Sequence, residues 1–146
     1  MLQKMVTEAV IHDFYGLQKL AGEKTIYGCA LVTDSDFGSV FMSMNTVREA
    51  GDPTSYDWDI YSWEYTSDQL NNSKLPGVSK ELWRLLDRSG DSLQDTVLPV
   101  FVQALKHLQQ DLVYIPQTMH HDNHLSSLSF QRQVSQYWHV FPYRVE

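Results

Sequence analysis

The densest group of side chains able to do chemistry is His120-His121-Asp122-Asn123-His124. Imidazole and carboxylate both ligate metals. On a helix, His120 and His124 would share one face, because residues four apart are neighbours there. The glutamate of the H-E-x-x-H metalloprotease pattern is missing. The preferred reading is therefore a solvated polar loop, with His120, His121 and His124 as weak candidate ligands and no resident metal expected.

A second group sets carboxylates among aromatics. Residues 56–65 read YDWDIYSWEY, which places Asp57, Asp59 and Glu64 beside Trp58, Tyr61 and Trp63. A carboxyl raised in pKa against an indole can act as a general acid. The simpler reading buries the rings as core and turns the acids to water. A mixed reading leaves part of the cluster outside as a contact patch, since Trp and Tyr dominate interface hot spots. On that reading Trp58, Tyr61 and Trp63 are the contact residues, with Asp57, Asp59 and Glu64 around them.

The remaining catalytic templates fail. Cys29 is the only cysteine and stands among small apolar residues, where a buried and inert thiol is the usual case. Asp34-Ser-Asp-Phe-Gly38 has its glycine at position five of a calcium loop and Asn45 at position twelve, where an EF-hand needs glycine at six and glutamate at twelve. A hairpin turn is the better assignment. There is no G-x-S-x-G, G-x-G-x-x-G or P-loop pattern. No catalytic residue and no cofactor is expected, and the weight falls against an enzyme.

Composition narrows the classes further. The 146 residues have room for one domain, taken as 1–146. Lys and Arg number 11 against 18 Asp and Glu, a net charge of −7, so no basic stripe for nucleic acid is expected. Glu8, His12 and Asp13 interrupt the N-terminal stretch, and no run approaches 18 apolar residues. A cytoplasmic protein without a membrane segment is expected.

The elements that must position these groups follow from periodicity. Residues 2–21 carry Leu2, Met5, Val6, Ala9, Val10, Phe14, Leu17 and Leu20 at helical spacing, with Gly22 as the stop. Residues 25–33 read as a strand buried on both faces, with Tyr27, Cys29 and Leu31 sharing one face. Residues 40–44 return as its hairpin partner. Asn45 starts a short helix ending at Gly51. Residues 56–65 favour a half-buried strand, with a short helix as the competing reading, and 67–78 form a loop. Ser79 caps a helix through Leu82, Trp83, Leu85 and Leu86 to Gly90. Ser92 and Asp95 open another, with Leu98, Phe101, Leu105 and Leu108 inward. Residues 112–115 form a third strand, and 127–138 a last amphipathic helix. Together these predict an α+β domain, a small antiparallel or mixed sheet packed with several helices.

Tyr27-Gly-Cys-Ala-Leu-Val-Thr-Asp34, Asn45-Thr46, Trp58 with Glu64 nearby, and the apolar run from Leu112 to Ile115 occur in the order of one family. In these residues the chain resembles the domain of unknown function 4303 family over most of its length. One departure is visible: Trp63-Glu64 reverses the Glu-Trp order such families often carry. The resemblance implies a fold and no activity.

The expectation that follows is a non-catalytic protein-binding module of a bacterial cytoplasm, in the manner of an immunity or antitoxin protein. Acidic inhibitors suit basic toxins, because opposite charge speeds and orients encounter. Two alternatives stand beside it: a small-ligand binder or enzyme with a cleft near residues 56–65, and an oligomer subunit with no separate ligand.

Overall fold

The computed structural model describes residues 1–24, 26–46, 59–113, 130–133 and 137–140. Helix α1 spans Leu2–Ala21, the range that periodicity predicts. Val6, Val10, Phe14 and Leu17 are fully buried along it. Burying each such side chain is worth roughly 1.5–3 kcal/mol before chain entropy is counted. Gly22 ends the helix at φ 66°, and its N–H donates to the carbonyl of Gln18.

Strand β1 (Ile26–Thr33) is buried at all eight positions. It is the middle strand of a five-stranded sheet, with antiparallel β2 (Val40–Thr46) on one side. One feature departs from simple alternation. Ile26 pairs with Thr46 and Gly28 with Asn45, so Tyr27 is an extra residue in a β-bulge. A single inserted residue reverses the phase of the side chains before it. Tyr27 therefore lies with Ala30 and Val32 on one face, while Ile26, Cys29 and Leu31 share the other. The expected grouping of Tyr27 with Cys29 is corrected on this point.

The turn between β1 and β2 is a packed corner. The Asp34 carboxylate accepts hydrogen bonds from the Gly38 N–H at 2.7 Å and the Ser39 hydroxyl at 3.1 Å. Phe37 takes φ 61° there, its ring buried 5.9 Å from that of Phe101. Both Asp34 oxygens are thus engaged in holding the turn.

Residues 56–65 do not form the expected strand over their described part. Ile60–Ser62 is a 3-10 turn, and strand β3 is only Tyr65–Thr66. Asp59 accepts from the Tyr61 N–H, and the Ser62 hydroxyl donates to the Asp59 carbonyl. Such local side-chain bonds compete with a sheet ladder and win here. A second 3-10 turn, Ser67–Gln69, follows directly.

Helix α2 (Leu75–Ser89) begins four residues earlier than Ser79, the expected cap. Pro76 suits its first turn. Ser79 lies inside the helix, and its hydroxyl accepts from the Val40 N–H at 3.0 Å and donates to the Val40 carbonyl at 3.1 Å. It therefore clamps α2 to β2. Gly90 closes the helix in the left-handed region at φ 72°, as predicted.

Helix α3 (Gln94–Val113) opens beside Ser92, whose hydroxyl accepts from the Gln94 N–H. Phe101, Leu105 and Leu108 are fully buried. It runs on through Leu112 and Val113, which a local pattern assigns to a strand; Tyr114 and Ile115 lie outside the described residues. The expected last helix is also corrected. Within 127–138 the described elements are strands, β4 (Phe130–Gln133) and the start of β5 (Tyr137–Val140). β5 pairs with β1 from Cys29↔Val140 to Val32↔Tyr137, and β4 pairs with β5. The sheet order is β3-β2-β1-β5-β4, antiparallel throughout. Asn45 and Thr46 belong to β2; the rest of the expected Asn45 helix lies outside the described residues.

The layers follow. Helices α1, α2 and α3 contribute to one main core with Cys29, Leu31, Met42 and Met44 of the sheet. On the opposite face Ile60 and Trp63 cover Tyr27, Ala30 and Val32. The fold is α+β, with its helices gathered on one side. Among the described residues no helix is long and apolar enough to cross a membrane.

Candidate functional site

The structure divides the aromatic segment. Trp63 is 5% exposed and meets the Tyr27 ring edge-on, with centroids 5.9 Å apart. The Tyr27 hydroxyl accepts from Asn45 Nδ2 at 3.0 Å, and Asn45 Oδ1 accepts from the Glu64 N–H at 3.3 Å. Trp63 is thus a structural anchor, which corrects its expected place among the contact residues. The bulge that turns Tyr27 to this face makes the packing possible.

Tyr61 points the other way and is 67% exposed. Asp59 spends one oxygen on the 3-10 turn. Glu64 is exposed and forms an ion pair with Lys24 at 3.8 Å. Lys24 donates to the Tyr65 hydroxyl at 3.1 Å. That hydrogen bond, helped by the Glu64 charge, raises the ammonium pKa above its ordinary value. Among the described residues, 59–65, Tyr61 is thus an outward ring with the exposed acids Asp59 and Glu64 in the same segment. Asp57 and Trp58 lie outside the described residues, as do His120, His121 and His124.

Nucleophilic chemistry at Cys29 has no support. Its thiol is fully buried, and burial pushes its pKa up, away from the reactive thiolate. Among the described residues no three His, Cys, Asp or Glu side chains are grouped to hold a metal.

A surface that sequence reasoning passed over lies between α1 and α2. Two adjoining hollows, of about 470 and 540 Å³, share Met5 and Gly77. Trp83 lines the second hollow and is 59% exposed; Met5 is 38% exposed. Periodicity places both Trp83 and Met5 inward, but the helix phase turns them out. Leu75, Val78 and Leu82 form the buried stripe of α2. Trp83 lies about 100° round from Leu82, off that stripe. On α1 the buried line is Val6, Ala9 and Val10, which leaves Met5 outside. The signal was present in the helix phase once the start at Leu75 is known. Gly77 adds to the opening, since a Cβ there would meet nothing within 4 Å.

Charges rim this groove. Lys4 pairs with Glu8 at 4.0 Å along α1. Arg84 pairs through two nitrogens with Glu81, and the guanidinium holds that carboxyl below its ordinary range. Lys74 and Lys80 make no ion pair among the described residues and stand on the same side of α2 as the hollows.

Behind the groove is a buried carboxylate that sequence reasoning also missed. Asp13, fully buried on α1, accepts from the Ser73 hydroxyl at 2.5 Å, the Lys74 N–H at 2.9 Å and the Leu75 N–H at 3.2 Å. His12 Nδ1 lies 2.9 Å from the same carboxylate. The bonds from Ser73, Lys74 and Leu75 serve the start of α2, so Asp13 is a cap supplied from another helix, while the His12 contact stays within α1.

A family model described as "Domain of unknown function (DUF4303)" matches residues 6–121. The chain belongs to this family, which carries no assigned activity. The match begins within α1, at Val6, runs through α3 and stops before β4 and β5. No curated protein matches the chain. No solved structure matches it either.

Proposed function

We propose that the chain is a non-catalytic protein-binding module, of the immunity- or antitoxin-like kind expected in a bacterial cytoplasm, and that it binds through the α1–α2 groove. One observation carries the reading: Trp83 stands 59% exposed beside exposed Met5 at the rim of an open groove. Leaving a large ring in water forgoes the transfer energy that burial supplies, about 25 cal/mol per Å². A Trp in a groove next to a flexible Met is the composition of an interface anchor. Among the described residues of the aromatic segment, Tyr61, Asp59 and Glu64 are exposed.

The test is capture from host lysate with three baits: the unmodified chain, Trp83→Ala and Tyr61→Ala. The reading expects a single stoichiometric partner that Trp83→Ala loses. A partner held equally by Trp83→Ala would remove the groove from the binding site. A melting temperature that rises with a metal or metabolite, and with no protein partner, would move the assignment to a ligand binder.

A further inference from the structure

We infer that the segment docking in the α1–α2 groove is an amphipathic helix with an acidic flank, an inference that rests on the groove reading above. The first support is shape. The first hollow is walled by both helices, the second by α2 with Met5 of α1 at its edge, and the α2 wall runs from Lys74 to Asp87. At 1.5 Å per residue that wall is about 20 Å long, three to four turns. Its α2 residues Gly77, Lys80, Arg84 and Asp87 recur at helical spacing, so the wall is one straight stripe. A third helix packs into such a channel by setting its own ridge of side chains between two others.

The second support is charge, and it runs against the sign of the whole chain. The net charge of −7 favours basic partners at long range. At the groove the balance differs. Glu8 is engaged by Lys4 and Glu81 by Arg84, and the field of Arg88 also reaches Glu81. Among the described residues of this rim, that leaves Lys74 and Lys80 without an ion pair, and Asp87 as the carboxylate without a cation partner. The cations lie along the wall from the Lys74 end, while Asp87 is at the far end beyond Trp83. A helix whose apolar stripe covers Met5 and Trp83 would set its flanking residues against Lys74 and Lys80. Carboxylates there gain attraction, and ammonium groups would meet like charge.

The experiment uses the full chain and two probe peptides of about 14 residues, the length that spans the wall. Both carry Leu at i, i+3, i+4 and i+7; one has Glu on its remaining face and the other Lys. Binding is read by fluorescence anisotropy of labelled peptide and by amide shifts in the protein. The Glu peptide should bind about tenfold or more tightly than the Lys peptide, with shifts confined to α1 and α2. Trp83→Ala should weaken it about tenfold or more, and the pair Lys74→Glu, Lys80→Glu should reverse the preference. Circular dichroism confirms that each variant is folded. Equal binding of both peptides, abolished by Trp83→Ala, would overturn the acidic-helix assignment and leave the groove reading intact. Glu-peptide binding indifferent to Trp83→Ala would overturn both. No binding by either peptide, with Trp83-dependent capture of a lysate partner retained, would overturn the helix assignment alone. A concentration-dependent dimer dissolved by Trp83→Ala would overturn it in favour of a second copy of the chain.

Discussion

The carboxylate of Asp13 on α1 accepts a hydrogen bond of 3.2 Å from the backbone N–H of Leu75, which opens α2 sixty-two residues later. No residue at the start of α2 caps it with its own side chain. The cap comes instead from the fully buried interior of another helix. This bond, with those to Ser73 and Lys74, sets where α2 begins and how α1 and α2 lie together. It thereby shapes the groove between them.

Asp13→Ala should destabilise the protein by about 3 kcal/mol, combining a lost cap with buried donors left unsatisfied. Ser73→Ala should cost less, about 1 kcal/mol, because the two backbone donors keep their acceptor. Urea unfolding followed by circular dichroism measures both. Equal stability of Asp13→Ala and the parent would show that the cap contributes nothing.

Trp63 and Trp83, on opposite sides of the sheet, should answer oppositely to truncation. Trp63→Ala removes a ring that is 5% exposed and packed on Tyr27, and should cost about 3–5 kcal/mol. Trp83→Ala removes an exposed ring and should change stability by less than about 0.5 kcal/mol. Thermal unfolding of the two variants gives the comparison. A large loss in Trp83→Ala would mean that the ring is packed in solution.

Gly77 within α2 and Gly90 just past its end should also diverge. Gly90 holds φ 72°, where a Cβ crowds the following carbonyl, so Gly90→Ala should cost about 1–2 kcal/mol. Gly77 lies within the helix with open space where a Cβ would go, so Gly77→Ala should stabilise by about 0.5–1 kcal/mol. Chemical denaturation midpoints at unchanged slope report the sign of each.

Cys29 should resist modification in the folded protein. Burial raises its thiol pKa, so at any given pH near neutrality less thiolate is present than for an ordinary cysteine. A thiol reagent should react slowly in buffer at pH 8 and rapidly in strong denaturant. Fast labelling of the native protein would contradict the buried position.

Much of the framework was legible in the residue order. The line from Val6 to Leu17 sets the phase of α1, and Gly22 and Gly90 mark helix ends through φ values that other residues avoid. The unbroken apolar run from Ile26 to Val32 announced a strand covered on both sides. The α+β class follows from these local signals. Other features depend on partners far away along the chain. The bulge at Tyr27 arises from pairing with Asn45 and Thr46 and cannot be read from β1 alone. The hairpin β4–β5 is drawn into strand form by the open side of β1, about a hundred residues earlier, against a helical spacing of apolar residues. The cap on α2 comes from Asp13, which gives its start and hence which way Trp83 faces. Residue types thus determined which segments bury their faces, because burial follows from local pattern. Which aromatic stays outside was decided by nonlocal hydrogen bonds, because those set the phase of each element against the core.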